Sequence, residues 1–385
     1  MQSPPSSRLY NKADSIVELS GTRGDASVQA ARVAALAARL DTLALDSYRR
    51  TILERACRAI AGTAQAGEPA FGLKKQVVEE LERVSDADLP RYLHYRYRYE
   101  VFPVSREIDD FPPCVQIEPT SICNYRCVFC YQTDRNLTQG RNGHMGMMPL
   151  ETFKRVVDEL TGNVEAVTLA SRGEPLMCRD IEAMLEYVSG RFLGLKINTN
   201  ASLLTESKAH ALLAADPNTL VFSCDAADPE LYAKLRVNGK FDQVVENIRR
   251  FAEIKAKHYP NSQIITRVSG VRFSQDQDFE TIRAFWDELV DQVAFVDYNP
   301  WESAYVAPAN GVTQPCSDLW RRTFVWWDGR IAPCDVDYLT HLQTGNVSEG
   351  GVSAAWRGEG YERLRRTHLD GGRQGLSPCK GCALL

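Results

Sequence analysis

No apolar run in this chain approaches the roughly 20 residues that a membrane-crossing helix needs. The opening stretch, Met1-Gln-Ser-Pro-Pro-Ser-Ser-Arg8, also lacks the apolar segment of a secretory signal. Both absences lead to the expectation of a cytoplasmic protein with no membrane partner. A basic surplus is missing too. The net charge is −5, so the overall balance gives no sign of a nucleic-acid partner. Hydrophobic residues make up 44% and charged residues 25%, an ordinary globular mixture that excludes wholesale disorder, a collagen-like repeat or a coiled-coil rod. At 385 residues the chain can bury a full-sized core and suggests two or three domains.

Cysteine is what the chain has in excess. There are eleven, at 57, 114, 123, 127, 130, 178, 224, 316, 334, 379 and 382. An odd number without a secretory signal does not read as a disulfide framework. Seven of them fall into two patterned groups.

The texture along the chain divides it in four. Residues 1–25 are polar and rich in Ser, Pro and Gly, and read as a flexible leader. Residues 26–110 carry helical spacing, with two helices up to residue 66 and two more over 73–100. Asp46 is the expected cap of the second helix, and Ser85 or Asp86 that of the fourth. The run Arg91-Tyr-Leu-His-Tyr-Arg-Tyr-Arg-Tyr-Glu100 alternates basic and aromatic residues. It suits either RNA or a helix whose Arg stems lie over aromatics against the next domain. Over 111–307, strand candidates at 114–118, 166–170, 195–198, 219–224, 264–269 and 293–298 alternate with helical segments. That alternation predicts a parallel sheet wrapped by helices, an α/β partial (β/α)6 TIM-like barrel. From 308 to 385 the texture turns Gly- and Trp-rich, with a β-hairpin expected over 323–332 around Asp328-Gly329.

Cys123-Asn-Tyr-Arg-Cys127-Val-Phe-Cys130 is a C-x3-C-x2-C triplet in the loop after the first barrel strand. Three thiolates so spaced can hold three corners of an iron–sulfur cube and leave one iron open to a small molecule. Zinc is the alternative, though structural zinc closes four ligands, and only His144 lies near as a fourth.

With Phe129 before its third cysteine, the triplet resembles the signature of radical S-adenosylmethionine (SAM) enzymes. The resemblance implies a [4Fe–4S] cluster on Cys123, Cys127 and Cys130 whose open iron takes the amino and carboxylate groups of SAM. Reduction by an electron donor such as flavodoxin or ferredoxin then cleaves SAM and yields a 5′-deoxyadenosyl radical that removes a substrate hydrogen. Further positions match. Gly173-Glu174-Pro175 resembles the family's "GGEP" segment, with Arg172 in place of its first Gly, and Glu174 is implied as acceptor for the SAM ammonium. Asn198 and Asn200 resemble the ribose-contacting stretch. Ser223 and Asp225 resemble an S-x-D pair with both side chains inward, and Arg236 an Arg that meets the SAM carboxylate.

Cys316, Cys334, Cys379 and Cys382 form the second group, with a G-x4-C and a C-x2-C element. They resemble the C-terminal SPASM and Twitch extensions. Four thiolates suffice for one closed auxiliary [4Fe–4S] cluster, implying a small C-terminal iron–sulfur domain; structural zinc stays open as the rival. Of the remaining cysteines, Cys178 and then Cys114 are the candidate hydrogen donors to a substrate radical. Glu302 and Asp335 are the candidate catalytic carboxylates on facing walls of the barrel mouth. A mouth of acids, amides and Trp suits a small-molecule substrate, a carbohydrate or aminocyclitol. The expected reaction is its dehydrogenation or epimerisation. Peptide maturation of the SPASM type is the second hypothesis, and a non-catalytic iron–sulfur or zinc scaffold the third.

Overall fold

The computed structural model describes residues 9–21 and 24–385. Four helices come first: α1 (Ala26–Ala37), α2 (Ser47–Ile60), α3 (Lys75–Leu81) and α4 (Leu89–Ser105). Asp46 caps α2 as its sequence suggests, accepting from the Arg49 amide at 2.7 Å. At α4 the N-cap is Asp88; Ser85 shapes the turn before it by accepting from the Asp88 amide at 3.1 Å.

The barrel strands are β2 (Cys114–Ile117), β4 (Ala166–Leu169), β5 (Gly194–Thr199), β6 (Thr219–Ser223), β8 (Ile265–Arg272) and β9 (Gln292–Asp297). Helices α6 (Leu150–Leu160), α7 (Ile181–Val188), α8 (Glu206–Ala215), α9 (Pro229–Leu235), α10 (Phe241–His258) and α11 (Phe279–Asp287) connect them. A short α5 (Arg135–Thr138) follows the cysteine triplet, and β3 (Arg126–Cys127) pairs with β7 (Arg236–Val237). The six strands pair in parallel, as the βαβ alternation requires. Their outward residues, such as Val115, Ile117, Leu195 and Ile197, form the main core with the surrounding helices.

Two departures from the sequence reading bear on the site. First, the C-terminal region does not stand apart from the barrel. Its hairpin, β10 (Arg322–Val325) with β11 (Arg330–Ala332), turns at Gly329 with φ +82°, and β10 extends the barrel sheet in parallel with β2. After β11 come β12 (Gly345–Asn346), α12 (Gly351–Arg357) and α13 (Glu359–Leu369). Second, the expected leader is built into the fold. Its residues 1–8 lie outside the described ones, but Ile16–Leu19 form β1, antiparallel to β9. The segment before it pairs Tyr10 with Leu384 and receives a 2.6 Å bond from Arg321 on Asn11. Residues 10–16 thus cross the open flank between β9 and β10.

The helical layer closes the other end. Arg91 pairs with Glu165 before β4 at 2.8 Å, the Tyr99 hydroxyl accepts from Arg322 at 2.7 Å, and Arg83 reaches the Gln263 carbonyl at 2.9 Å. All three contacts lie at the amino ends of strands, so α3 and α4 sit under the barrel floor. The basic–aromatic run is therefore an internal face: Tyr95, Arg96, Tyr97 and Arg98 are buried, with the Arg96 guanidinium 5.2 Å from the Tyr99 ring. It is not an RNA surface.

Candidate active site

In most barrels the lumen is filled with branched apolar side chains. Here the inward positions include Gln116, Thr168, Lys196, Asn198, Ser223 and Ser269, and with Ala166, Val221, Ala294 and Val296 they line a cavity of about 490 Å3 in which polar side chains predominate. The cavity runs from Tyr95 and Tyr99 on the floor to Cys123, Cys127 and Cys130 at the mouth. A second cavity of about 550 Å3 adjoins it beneath Tyr10, Lys12, Phe129 and Trp301.

The triplet loop presents all three thiols to the first cavity, and each is met by a donor. The Tyr125 amide points at the Cys123 sulfur at 3.4 Å, an Arg236 nitrogen lies 3.7 Å from the Cys127 sulfur, and the Gln132 amide serves Cys130. Burial, then the nearby Glu174 carboxylate, pushes the Cys123 thiol up to about 12. Cys127 and Cys130 are raised by burial as well. Such groups stay neutral alone and become thiolates only beside a metal's positive charge. The donor set therefore fits a cluster held at three corners.

Around it, Gly173 lies where no other residue fits. A Cβ there would come within 2.3 Å of the Thr120 carbonyl oxygen and 2.5 Å of that of Ile122. Pro175, also buried, opens the turn that follows. Two polar atoms on the cavity wall, Asn198 Oδ1 and Ser171 Oγ, are buried with no partner of their own. Both are open to a bound ligand.

Several of the residues singled out in the sequence are also engaged by the protein itself. The Glu174 carboxylate is engaged by protein donors: Thr199 Oγ1 at 2.6 Å, the Asn200 amide at 2.7 Å and the Leu176 amide at 3.1 Å. It clamps the β4 loop to the end of β5 and lines the first cavity, with one lone-pair direction left over from these three donors. Asn200 likewise binds Asn124 and Ser202. Ser223 does face the cavity, but Asp225 does not. It lies past the strand end, fully buried, where it accepts from the Val271 amide at 2.7 Å and pairs with Arg236 at 2.5 Å. The pair aims Arg236 at the Cys127 sulfur and both cavities. Arg172 borders the first cavity, but its guanidinium is taken up by the protein. Its guanidinium forks onto Glu118 at 2.5 and 2.8 Å, donates to the Tyr338 carbonyl at 2.9 Å, and lies 4.2 Å from the Trp326 ring. This buried pair ties the barrel to the C-terminal region.

The hydrogen-donor expectation fails for Cys178. It is 3% exposed inside the apolar core and lines neither cavity. Cys114 does line the lumen, but at the amino end of β2, roughly 13 Å of strand below Glu118. Asp335 lines the lumen as well. Glu302 lines neither cavity; one oxygen accepts from the Tyr298 hydroxyl, and the other is buried without a partner.

The second cysteine group lies apart from both cavities. Burial pushes Cys316 up to about 12, with repulsion from Asp318 and Cys382 behind it. Cys334 is raised by burial and then by Cys379, and Cys379 by burial and then by Cys316. The four sulfurs therefore surround one another. Arg373, which the sequence reading passed over, staples their loops by donating to the carbonyls of Gln314, Cys379 and Cys382 at 3.1, 3.3 and 2.7 Å. Among the described residues no three His, Cys, Asp or Glu side chains converge on a single ion.

Comparison with known proteins decides the family. The radical SAM superfamily model matches residues 117–285, and the SPASM model, an iron–sulfur cluster-binding domain, matches 316–383. The chain is a radical SAM enzyme with a C-terminal SPASM domain. Its cofactors are accordingly SAM and [4Fe–4S] clusters, one for SAM and one auxiliary type. The mycofactocin maturase MftC of Mycobacterium tuberculosis is 28% identical over 171 residues, 43% of this chain and 42% of that protein. GTP 3',8-cyclase of Desulforamulus reducens is 27% identical over 195 residues, 49% and 57% of the two chains. This radical SAM chain therefore spans about half the length of the curated relatives it matches. Streptococcus suis SuiB, solved with its precursor peptide SuiA, has the same fold at a TM-score of 0.54 and 17% identity, covering 83% of this chain and 79% of that one. Among the described residues no helix is long and apolar enough to cross a membrane.

Proposed function

We propose that this radical SAM enzyme oxidises a hydroxylated, sugar-sized substrate held in the barrel lumen, in the cytoplasm and with flavodoxin or ferredoxin as electron donor. The observation that carries this reading is the polar cavity, closed at its floor by α4 and on its flank by residues 10–16, which opens onto the cluster cysteines. Amides, hydroxyls and a lysine from β2, β4, β5, β6 and β8 match a ligand of many hydroxyls, and Ala294 and Val296 of β9 give it one apolar wall. When bound, SAM and the cluster on Cys123, Cys127 and Cys130 supply the hydrogen-abstracting radical, and the auxiliary cluster supplies an electron sink.

The chain's own residues then have distinct tasks. Asn198 and Ser171 offer their free oxygens to the bound ligand. Asp335 accepts the substrate's hydroxyl proton at the cavity wall. Arg236, held by Asp225, fixes the charge beside Cys127. Dehydrogenation is favoured over epimerisation because epimerisation needs a hydrogen donor on the opposite face: Cys178 is sealed in the core, and Cys114, though in the lumen, lies at the amino end of β2, far below the cluster cysteines. The region between the two thiol groups suits the electron's departure. Tyr131 and Tyr338 stack with centroids 5.1 Å apart, and Cys130, Cys334 and Cys382 all pack on that tyrosine layer.

The test is turnover of the anaerobically reconstituted protein with SAM, dithionite and a panel of sugars and sugar acids. The reading requires a product lighter by two hydrogen atoms, formed together with 5′-deoxyadenosine. A product of unchanged mass in ordinary water that takes up deuterium in heavy water would overturn dehydrogenation in favour of epimerisation.

One observation favours a second reading, peptide maturation: a curated relative at 28% identity is named a maturase. Against it, the described residues before β2 form one short strand, β1, and helices α1–α4, not a strand-rich peptide-gripping module. Modification of a peptide while every sugar stays inert would put this second reading first.

A further inference from the structure

We propose that the lower lumen is a receptor for an anionic group of the substrate, a carboxylate or a phosphate, bound by Lys196, Arg267 and Arg322. This rests on the reading of the lumen as the substrate chamber and narrows its substrate class.

The three cations come from three strands, β5, β8 and β10, and all line the same cavity. Lys196 has no hydrogen-bond or ion-pair partner among the described residues. Arg267 is bonded to a neutral amide, the Gln292 oxygen, at 2.8 and 2.6 Å. Arg322 donates to the Tyr99 hydroxyl and has Asp318 at 3.5 Å, but Asp318 also serves Arg321 at 3.4 Å. Lys12 adds a further charge from the flank. The facing carboxylates are Glu80 on the floor, which is bonded by Tyr92 at 2.5 Å, Glu79, which acts on Arg267 and is paired with Arg83, and Asp335 near the mouth. Positive charge is thus in surplus in a chamber sheltered from water.

An unpaired buried cation is unfavourable unless something pairs it. The strain is visible on Lys196, whose ammonium is brought down to about 8 by burial and then by Arg267 and Arg322. A bound anion relieves it through charge-assisted hydrogen bonds, and the forked guanidinium matches carboxylate and phosphate alike. Lys196 lies one inward layer, roughly 6.6 Å along the strand, below Asn198. An anionic end seated there directs the rest of a sugar-sized molecule up toward the cluster cysteines. The same charge repels an amine, so the aminocyclitol expectation gives way to a sugar acid or sugar phosphate.

Pyridoxal 5′-phosphate and pyridoxal are the probes. Each aldehyde condenses with a neutral lysine amine, losing water, and borohydride reduces the imine to a stable secondary amine. Peptide mapping of the full-length protein then reads the label at Lys196. The expected result is labelling about tenfold greater with the phosphate-bearing aldehyde than with pyridoxal. The preference should disappear in Arg267→Gln and persist in Arg267→Lys, which keeps the charge and controls for folding. Protection by inorganic phosphate but not glucuronate assigns a phosphate, and the reverse a carboxylate. Equal labelling by both aldehydes, reaction at surface lysines with Lys196 untouched, or suppression by neither anion would overturn the proposal. The label does not depend on SAM cleavage. A selective label in a protein that fails to turn over sugars would therefore break the catalytic reading and leave the anion site standing.

Discussion

The two cysteine groups are built from the same residue and serve opposite ends. Cys123, Cys127 and Cys130 face a polar cavity, and one corner of any cube they hold is left to a ligand. Cys316, Cys334, Cys379 and Cys382 face one another, away from both cavities, with no corner left over. The arginines beside them show the same division. Arg236 points at a cysteine sulfur and so acts on the cluster's charge, whereas Arg373 points at backbone carbonyls and so acts on the loops. Openness comes from what surrounds the thiols as much as from their number.

The comparison can be broken most severely at Gly173. Gly173→Ala pushes a methyl group into two backbone carbonyls at the open site only. SAM affinity should fall by about a hundredfold or more, read by equilibrium dialysis, with the auxiliary cluster's spectrum unchanged. Arg172→Met comes next, since it strands the Glu118 carboxylate between the two regions. Loss of one partner from so buried a pair should cost about 3–5 kcal/mol in urea unfolding. A loss under about 1 kcal/mol would show that the two regions are not joined there.

Lys196→Met gives the smallest effect and the opposite sign. The folded ammonium titrates near 8 against an ordinary 10.5, so the protonated form is disfavoured by folding. That penalty is complete below about pH 8 and fades as pH rises toward 10.5. Removing the charge should stabilise the protein by about 1–3 kcal/mol at pH 7, with the gain shrinking above pH 8. A destabilising result would mean that the lysine has a partner and that the cavity is not held open for a ligand.

Much of this was legible in the sequence. The strand positions followed from βαβ alternation, the hairpin from Asp328-Gly329, and the open site from the spacing of three cysteines. Local pattern carried all of these. What escaped depended on long-range pairing. Nothing local says that Ile16–Leu19 would find β9, or that β10 would join β2. Glu174 and Asp225 resembled ligand-contacting positions and Arg172 stood out as a departure from the motif, and each is engaged by a partner distant in the chain. Cys178 lies near the SAM motif in sequence but faces the core, because the turn after Pro175 points it inward among Leu176 and Ile181. The charged lumen did leave a signal. Parallel strands buried on both faces read as continuous apolar runs. The polar residue at every second position, Lys196 and Asn198 in β5 or Arg267 and Ser269 in β8, marks an interior that is not filled with apolar side chains.

The central claim is that one group is open and catalytic and the other closed. It is tested most directly by counting iron, sulfide and 5′-deoxyadenosine in three reconstituted proteins: the wild type, Cys123→Ala/Cys127→Ala/Cys130→Ala, and Cys379→Ala/Cys382→Ala. The account predicts about eight irons in the wild type and about four in each variant, with SAM cleavage lost only in the first. SAM cleavage that survives in the triple variant, or an iron count that the C-terminal pair leaves unchanged, would contradict it.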